Sequence, residues 1–158
     1  MPITKEEFRG ALGRFASGVT IVTTVAGDGH LHGLTVSAFC AVSLDPPLIL
    51  VCIQKTTGSH HAFAESKAFV VNVLSESQTA LSNQFASRST DKFAGVEYEN
   101  GIAGIPVLKN CLVNLECRLA HAYDGGDHTI FVGEIEKSHL GSGGAPLAYF
   151  HGAYRRLI

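Results

Sequence analysis

Apolar and polar residues alternate most clearly over residues 113–119, in the order Val-Asn-Leu-Glu-Cys-Arg-Leu. A period of two is typical of a β-strand that packs one face on the core and leaves the other face in water. The turn sequence Asp-Gly-Gly-Asp follows at 124–127, and residues 129–140 are again rich in strand formers. The pattern therefore predicts a long antiparallel pair joined by a tight turn.

Further apolar runs predict the remaining strands. Residues 19–25 are followed by a tight-turn sequence and then by a second run that begins at Leu31, which predicts a β-hairpin. Strands are also expected at 48–53, at 68–74 and, as a final short strand, within 146–157. Residues 88–104 have mixed charge and no clear period, so they predict a long surface loop.

Capping signals and helical spacing predict an amphipathic helix at the start of the chain. A Thr-x-x-Glu capping box begins at Thr4, and apolar residues then recur at helical spacing as Phe8, Leu12 and Phe15. We expect about three helical turns that pack an apolar face on the core and end at Gly18.

Two more short helices are expected in the middle of the chain. One covers residues 59–66, with Ala62 and Phe63 facing inward. A second capping box, formed by Ser75 and Gln78, opens a helix that ends near residue 87.

The predicted elements define the fold class. Six or more strands and two or three short helices, joined by hairpin-like links, predict a mainly β fold built on an antiparallel barrel. The chain has 158 residues, of which 46% are hydrophobic, and it contains no internal repeat or linker. A single domain over residues 1–158 is therefore expected.

Charge and hydropathy exclude two classes of partner. The formal net charge is −2 and the sequence pI is about 6.4, so no broad basic face is available for nucleic acid. No apolar run is as long as a membrane span, and the N-terminal residues do not resemble a signal peptide. We expect a cytoplasmic protein. The charged fraction of only 16% also suggests that part of the surface is covered by a second copy of the chain.

Cysteine and histidine spacing predicts no metal site. The four cysteines lie in apolar contexts without C-x-x-C spacing, which favours buried, reduced thiols. His30 and His32 share a strand face, and His60 and His61 are adjacent, but neither pair has a nearby third ligand. We therefore expect surface histidines.

Known nucleotide and esterase motifs are also missing from the sequence. There is no P-loop, no G-x-G-x-x-G between a strand and a helix, and no G-x-S-x-G. The glycine-rich residues 141–144 are not followed by a helix, so they predict a plain loop.

Residues 33–47 combine strand formers with short hydroxyl side chains. Thr35, Ser37 and Ser43 lie among residues that favour an extended chain, and the Pro46-Pro47 pair then ends the ladder. An ordinary β-bend between core strands would explain the pattern. A ligand-binding edge would also explain it, because hydroxyls of that reach can donate to a phosphate.

Four segments in register resemble the short-chain flavin reductase family, small NAD(P)H-dependent enzymes that supply reduced flavin to two-component monooxygenases. They are residues 18–23, 33–47, 126–133 and 149–154, and they cover nearly the whole chain. The resemblance implies a flavin-binding, Greek-key split β-barrel, a homodimer, and FMN or FAD as cofactor with NADH or NADPH as hydride donor. It also implies a partner monooxygenase.

The resemblance and the side-chain chemistry together indicate a flavin site. A phosphate requires hydroxyls and a cation, which Thr35, Ser37, Ser43, Ser59 and Lys92 can provide. By resemblance, the flavin ring is lined by Val36 and Ala38, is approached by backbone groups of Cys52, Ile53 and Gln54, and has Phe85 and Phe93 packed nearby. Gln54 departs from the Asp or Asn expected there. Phe85 as a core residue and Lys92 as a solvated side chain are the simpler interpretations.

The resemblance also implies where the nicotinamide lies. His128 follows a tight turn, where a side chain can point into a cleft at the barrel end, and Asp127 could orient the imidazole. Tyr149 is the third residue assigned to the nicotinamide. Hydride transfer between two rings requires positioning more than catalytic side chains, so no catalytic residue is assigned. The alternative functions are a non-catalytic flavin- or haem-binding split barrel and a purely structural dimerisation domain.

Overall fold

The computed structural model describes residues 2–158, which form three α-helices and twelve strands. The helices are α1 (Lys5–Leu12), α2 (His60–Ser66) and α3 (Thr79–Ala86). The strands are β1 (Ser17–Gly18), β2 (Thr20–Val25), β3 (Leu31–Val36), β4 (Phe39–Ser43), β5 (Leu48–Gln54), β6 (Ala68–Val73), β7 (Tyr98–Asn100), β8 (Pro106–Leu108), β9 (Val113–Gly125), β10 (His128–Leu140), β11 (Ala148–Phe150) and β12 (Ala153–Arg155).

Seven strands form one antiparallel sheet in the spatial order β3-β2-β6-β9-β10-β5-β4. A smaller sheet has the order β1-β11-β12, and β7 pairs with β8. The predicted hairpin of β2 and β3 and the long pair of β9 and β10 are both confirmed by their registers. The mainly β, antiparallel fold class is likewise confirmed.

The main sheet has to curl into a barrel because its two edge strands are consecutive in the chain. Only Ser37 and Ala38 separate β3 from β4, a link of about 10 Å, whereas seven flat strands would hold the two edges about 29 Å apart. The chain bends in a γ-turn, in which the Phe39 N–H donates to the Ser37 carbonyl at 2.9 Å. At this join the Cys52 N–H donates to the Ala38 carbonyl at 3.0 Å. We call these residues, 37, 38 and 52, the seam.

The barrel interior is filled by one face of each strand. Its fully or almost fully buried residues include Val22, Val51, Phe69 and Phe131, and Phe63 of α2 packs among them. The ring of His60 lies 5.7 Å from that of Phe131, centroid to centroid. α2 therefore covers one end of the barrel, and the inward orientation predicted for Ala62 and Phe63 is confirmed by their burial.

Helix α3 packs on the outer face of β3 and β2, over a second cluster that includes Ile21, Leu74 and Phe85. The Ser75–Gln78 capping box is present as predicted, at the start of a short 3-10 helix that leads into α3. The C-cap of α3 is Ser87, and the sequence predicted that this helix ends near residue 87.

The expectation for the first helix needs two corrections. α1 has its predicted Thr4–Glu7 capping box, but it ends at Leu12, with Gly13 as the C-cap, and not at Gly18. It also buries no residue: Phe8, Leu12 and Phe15 are 53%, 55% and 81% exposed. The apolar side chains predicted to face the core therefore form an uncovered surface.

The predictions for one loop and for the final strand are also corrected. Residues 88–104 are not one irregular loop, because they include β7 and a short 3-10 helix at Ile102–Gly104, and Phe93 and Val96 pack on the second cluster. The final strand is in fact a hairpin of β11 and β12. Strands of three residues are too short to show a period in the sequence.

None of the helices in residues 2–158 is both long enough and apolar enough to cross a membrane.

Candidate functional site

The sheet order brings several predicted site residues to the barrel end that α2 covers. Gln54 at the end of β5 is paired with His128 at the start of β10. The Lys55 N–H donates to the Asp127 carbonyl at 2.9 Å, which continues this pairing into the turn. Because antiparallel neighbours alternate in direction, the start of β3, with His32, lies at the same end.

Ser59 and His32 are in direct contact at this end. Ser59 is the N-cap residue of α2, is 9% exposed, and makes no capping hydrogen bond with its side chain. Its Oγ lies 3.1 Å from Nδ1 of His32 instead. The His32 ring is also packed edge-on against the His61 ring, with centroids 5.3 Å apart. Ser59 was predicted here, whereas the two histidines were not.

The side chain of Lys92 contacts the backbone of β3 next to His32. Its Nζ donates to the Gly33 carbonyl at 3.2 Å, and the Gln84 side-chain amide donates to the Lys92 carbonyl at 2.7 Å. Burial lowers the pKa of Lys92, so its ammonium group is less stable here than in water. Within residues 2–158 it forms no salt bridge. A half-buried cation without an acid is suited to an anionic ligand.

Because Gly33 has no side chain, the rings of Phe85 and Phe93 can lie against its backbone. A Cβ at this position would lie 2.6 Å from the Phe85 ring and 3.3 Å from the Phe93 ring. These two rings contact each other edge to face at 4.9 Å. Phe85 is 0% exposed, so its side chain supports Gly33 from behind and presents no surface to a ligand. Phe85 is thus a core residue in this structure, and only the half-buried Phe93 remains available as a wall.

The three predicted hydroxyls of residues 33–47 do not converge. Thr35 donates its hydroxyl proton to the Ser82 carbonyl of α3 at 2.6 Å, so that proton is not free for a phosphate. Ser37 is exposed at the seam. Ser43 is at the far end of β4, about 20 Å of extended chain from Ser37, so one phosphate cannot contact both.

The residues assigned to the flavin ring lie along the seam and the end of β5. Ala38 is exposed, whereas Val36 is 5% and Ile53 0% exposed, with side chains in the barrel core. Ile53 can therefore approach a ligand only through its backbone, as expected. The Cys52 N–H is already used by Ala38, and burial raises the pKa of its thiol.

His128 has a fixed orientation. Its Nδ1 lies 2.7 Å from Oδ1 of Asp127, an arrangement that leaves Nε2 for a second partner. The hydrogen bond from His128 lowers the pKa of the exposed Asp127 carboxyl. Tyr149 lies on the separate small sheet, where its ring contacts Tyr154. The structure records no contact between Tyr149 and His128 among the described residues.

A cavity lies elsewhere, on the outer face of β9 and β10. Its volume is about 660 Å³, and it extends to His139, which is about 35 Å along β10 from His128. Glu116, 5% exposed, accepts hydrogen bonds there from the Ile102 N–H and from Nε2 of His139, each at 2.5 Å. At its rim Lys109 pairs with Glu99 at 3.7 Å. The sequence pattern predicted that Asn114 and Glu116 lie on a face of β9 in water, which is wrong: both are buried, because residues 102–108 cover that face.

No group of three or more potential metal ligands comes together within residues 2–158. His30 pairs with Asp28 at 3.1 Å, and His60 lies 2.7 Å from the Thr129 hydroxyl. The expectation of simple surface histidines is therefore too coarse, because His32 and His60 are half-buried and have defined partners.

Comparisons with known proteins identify the family of the chain. The family described as "Flavin reductase like domain" matches residues 12–157. The chain is 40% identical over 157 residues to the reductase component of a 4-nitrophenol 4-monooxygenase/4-nitrocatechol 2-monooxygenase of Rhodococcus opacus, with coverage of 99% of this chain and 83% of that protein.

Two further similarities were found. An FMN reductase (NADH) of Agrobacterium fabrum is 43% identical over 149 residues, which are 94% of this chain and 84% of that protein. The solved structure of an NADH:FAD oxidoreductase of Streptomyces globisporus C-1027, in complex with NAD and FAD fragments, matches with a TM-score of 0.94 at 33% identity. That match covers 100% of this chain and 95% of the other chain.

Proposed function

Because the chain belongs to the flavin reductase like domain family, we propose that it transfers hydride from NADH to FMN or FAD and supplies the reduced flavin to a partner monooxygenase. The observation that supports this most directly is Lys92. It is a half-buried cation with no acidic partner among the described residues, and it donates to the carbonyl of Gly33, the residue next to His32, whose ring contacts Ser59.

The phosphate is assigned to Lys92 and Ser59. This donor pair fits an anion, since it offers one ammonium group and one hydroxyl. Ser37, Thr35 and Ser43 remain weaker proposals, and Ser37 is about 13 Å of extended chain from Gly33, whose carbonyl binds Lys92. A phosphate contact with Thr35 would require its hydroxyl to leave the Ser82 carbonyl, and Ser43 is at the opposite end of its strand.

The flavin ring is assigned to the seam and the end of β5. Ala38 and Phe93 would contact it through side chains, Cys52 and Gln54 through backbone groups at the end of β5, and Val36 and Ile53 would support it from the core. A bound flavin supplies the electron-accepting ring. The chain's own contribution is to hold that ring where the nicotinamide can stack on it.

The nicotinamide is assigned to His128. Asp127 fixes one ring nitrogen of His128, so the other nitrogen can hold the second substrate at a constant angle. Tyr149 would contribute only as an outer wall, since it lies on the small sheet.

A homodimer is proposed from the exposed apolar side chains of α1 and of the turn that follows it. Three large apolar side chains, Phe8, Leu12 and Phe15, are more than half exposed, and a second copy would remove them from water. Light scattering should give about twice the chain mass of 16.8 kDa. A mass near 16.8 kDa with full reductase activity would contradict the dimer.

A cytoplasmic location is proposed from the cysteines. All four are free, and a reducing compartment is where free thiols persist and where NADH is supplied.

The activity is tested by following NADH absorbance with purified protein and FMN, FAD or no flavin. We expect flavin-dependent oxidation of NADH. Flavin binding without NADH oxidation would instead identify a non-catalytic binding protein, and no binding at all would leave only a structural role.

A further inference from the structure

His32 occupies a place that the hydride-transfer reaction does not explain. It lies on β3, where its Nδ1 faces the Ser59 hydroxyl and its ring packs edge-on against His61. The next residue, Gly33, accepts the hydrogen bond from Lys92. A titratable ring therefore contacts the hydroxyl assigned to the flavin phosphate and is one residue along β3 from the carbonyl that binds the assigned ammonium group.

The surroundings of His32 disfavour the protonated form of its ring. Burial is the main cause that lowers its pKa, and His61 on α2, His30 on the β2–β3 hairpin and Lys92 lower it further. Only Asp28 of that hairpin acts in the opposite direction, and Asp28 is already paired with His30. A phosphate beside Lys92 would reverse this balance, since a nearby anion favours the imidazolium form.

We propose that His32 is a second cationic ligand of the flavin phosphate, neutral in the free protein and protonated in the complex, so that FMN is bound together with a proton from solvent. This inference rests on the proposed function, in which the phosphate lies beside Lys92 and Ser59. It adds a residue, and a linkage to pH, that neither the family nor the relatives' names assign.

Protonation of His32 also fixes the direction of the Ser59 hydrogen bond. With neutral His32, either the ring nitrogen or the hydroxyl can be the donor. Once His32 is an imidazolium, both ring nitrogens are donors, so Nδ1 donates to the Ser59 oxygen. The Ser59 hydroxyl proton and the Nε2–H of His32 are then both free to donate to the phosphate, whereas either neutral tautomer leaves only one of them free.

The sign of the linkage follows from these states. The pKa of His32 is lowered in the free protein and rises in the complex, so the complex binds more protons than the separate partners between the two values. FMN affinity should therefore increase as the pH falls through that window. Riboflavin, which has the same ring but no phosphate, should show no such increase.

Fluorescence titrations of FMN and riboflavin test this on the wild-type protein. From about pH 8.5 to about pH 6.5, a range above the second phosphate pKa, FMN affinity should rise about threefold or more while riboflavin affinity stays within about twofold. Calorimetry in buffers of different ionisation enthalpy should show net proton uptake with FMN and none with riboflavin. These two measurements need no variant.

His32→Asn then identifies the residue, because an Asn amide can still hydrogen-bond Ser59 but cannot become charged. It should remove most of the pH dependence and the proton uptake for FMN and leave riboflavin binding unchanged. His30→Asn is the matched control, since His30 is only two residues away, just before β3 begins, but is exposed and bonded to Asp28. It should behave as wild type. His32→Gln is a second variant in case His32→Asn folds poorly.

The outcomes separate this inference from the proposed function. If wild type reduces flavin with NADH but FMN and riboflavin have the same pH dependence, the inference is wrong and the function stands. Proton uptake that persists in His32→Asn also overturns it. If wild type binds no flavin, both fail.

Discussion

The α2 end of the barrel and the outer cavity of β9 and β10 contain similar side chains in opposite electrostatic arrangements. In the cavity the buried carboxylate and the rim pair are satisfied, Glu116 by His139 and Glu99 by Lys109, and Lys137, which also lines it, is exposed to solvent. At the α2 end, Lys92 donates only to a backbone carbonyl. The cavity is large, about 660 Å³, but it already contains its own counter-ions. The α2 end offers a half-buried positive charge without an acidic partner among the described residues.

This difference shows that volume alone is a poor guide to function. A buried carboxylate held by a backbone N–H and an imidazole is a structural contact, because a ligand would have to displace both partners. A half-buried ammonium group with no acid becomes fully compensated only when an anion arrives. Four substitutions can test the contrast, and they follow in order of decreasing expected effect.

Replacing Lys92 by Met keeps the aliphatic stem and removes the charge. FMN affinity should fall roughly tenfold or more, because a hydrogen bond to a charged group contributes about 1.5–3 kcal/mol. Riboflavin affinity should change little, since riboflavin has no phosphate. Lys109→Met, in the cavity, is the matched control and should leave FMN titrations unchanged. Equal losses for FMN and riboflavin would show that Lys92 supports the ring and not the phosphate.

Replacing Glu116 by Ala should affect stability and not flavin. The Ile102 N–H and His139 both lose their acceptor, so urea titration should show the free energy of unfolding reduced by about 1–3 kcal/mol. A tenfold loss of FMN affinity in a folded Glu116→Ala protein would contradict the structural role.

The Glu116 contribution should also depend on pH. Burial raises the pKa of Glu116, but the hydrogen bonds from His139 and Ile102 outweigh burial and lower it overall. A lowered pKa stabilises the fold above the unfolded-state value, and this stabilisation is lost as the pH falls through the folded-state value. The difference in stability between wild type and Glu116→Ala should therefore narrow in acid.

Replacing His128 by Ala should raise the KM for NADH about three- to tenfold, the loss expected for one neutral hydrogen bond. The value of kcat can fall as well, because the nicotinamide is less well aligned. Flavin affinity should be nearly unchanged. A variant that loses flavin but keeps its NADH kinetics at saturating flavin would move His128 into the flavin site.

Replacing Thr35 by Val should give the smallest effect, a loss of about 0.5–1 kcal/mol in stability, because the Ser82 carbonyl loses its donor. FMN affinity should fall more in Ser37→Ala than in Thr35→Val. The reverse order, in titrations of folded proteins, would show that the Thr35 hydroxyl turns from α3 to the phosphate.

Local patterns predicted much of this fold. The alternation at 113–119, the tight turn at 124–127 and the two capping boxes all act within a few residues, and each is present in the structure. Where these signals are short or ambiguous, prediction failed. Residues 98–100 are too few to show a period, and the apolar residues of α1 have the spacing of a core face although no part of their own chain covers them.

The site was less predictable because its contacts join distant parts of the chain. His32 is 27 residues from Ser59, and Thr35 is 47 residues from Ser82. Nothing near Thr35 in the sequence shows that its hydroxyl proton is already donated. Family resemblance indicated the segments, but it could not give the hydrogen-bond partner of each side chain.

The seam has a consequence for how the barrel moves. β3 and β4 are joined there by the chain itself and not by a ladder of hydrogen bonds, so the barrel can widen at residues 37 and 38 without breaking a row of pairs. The N–H of Cys52 on β5 bonds to the Ala38 carbonyl at the seam, so its hydrogen exchange should be faster than that of the Val51 N–H in the interior. A flavin ring placed against Ala38 should slow that exchange. Uptake and release of the ligand would then require only a local opening of the barrel wall at the seam.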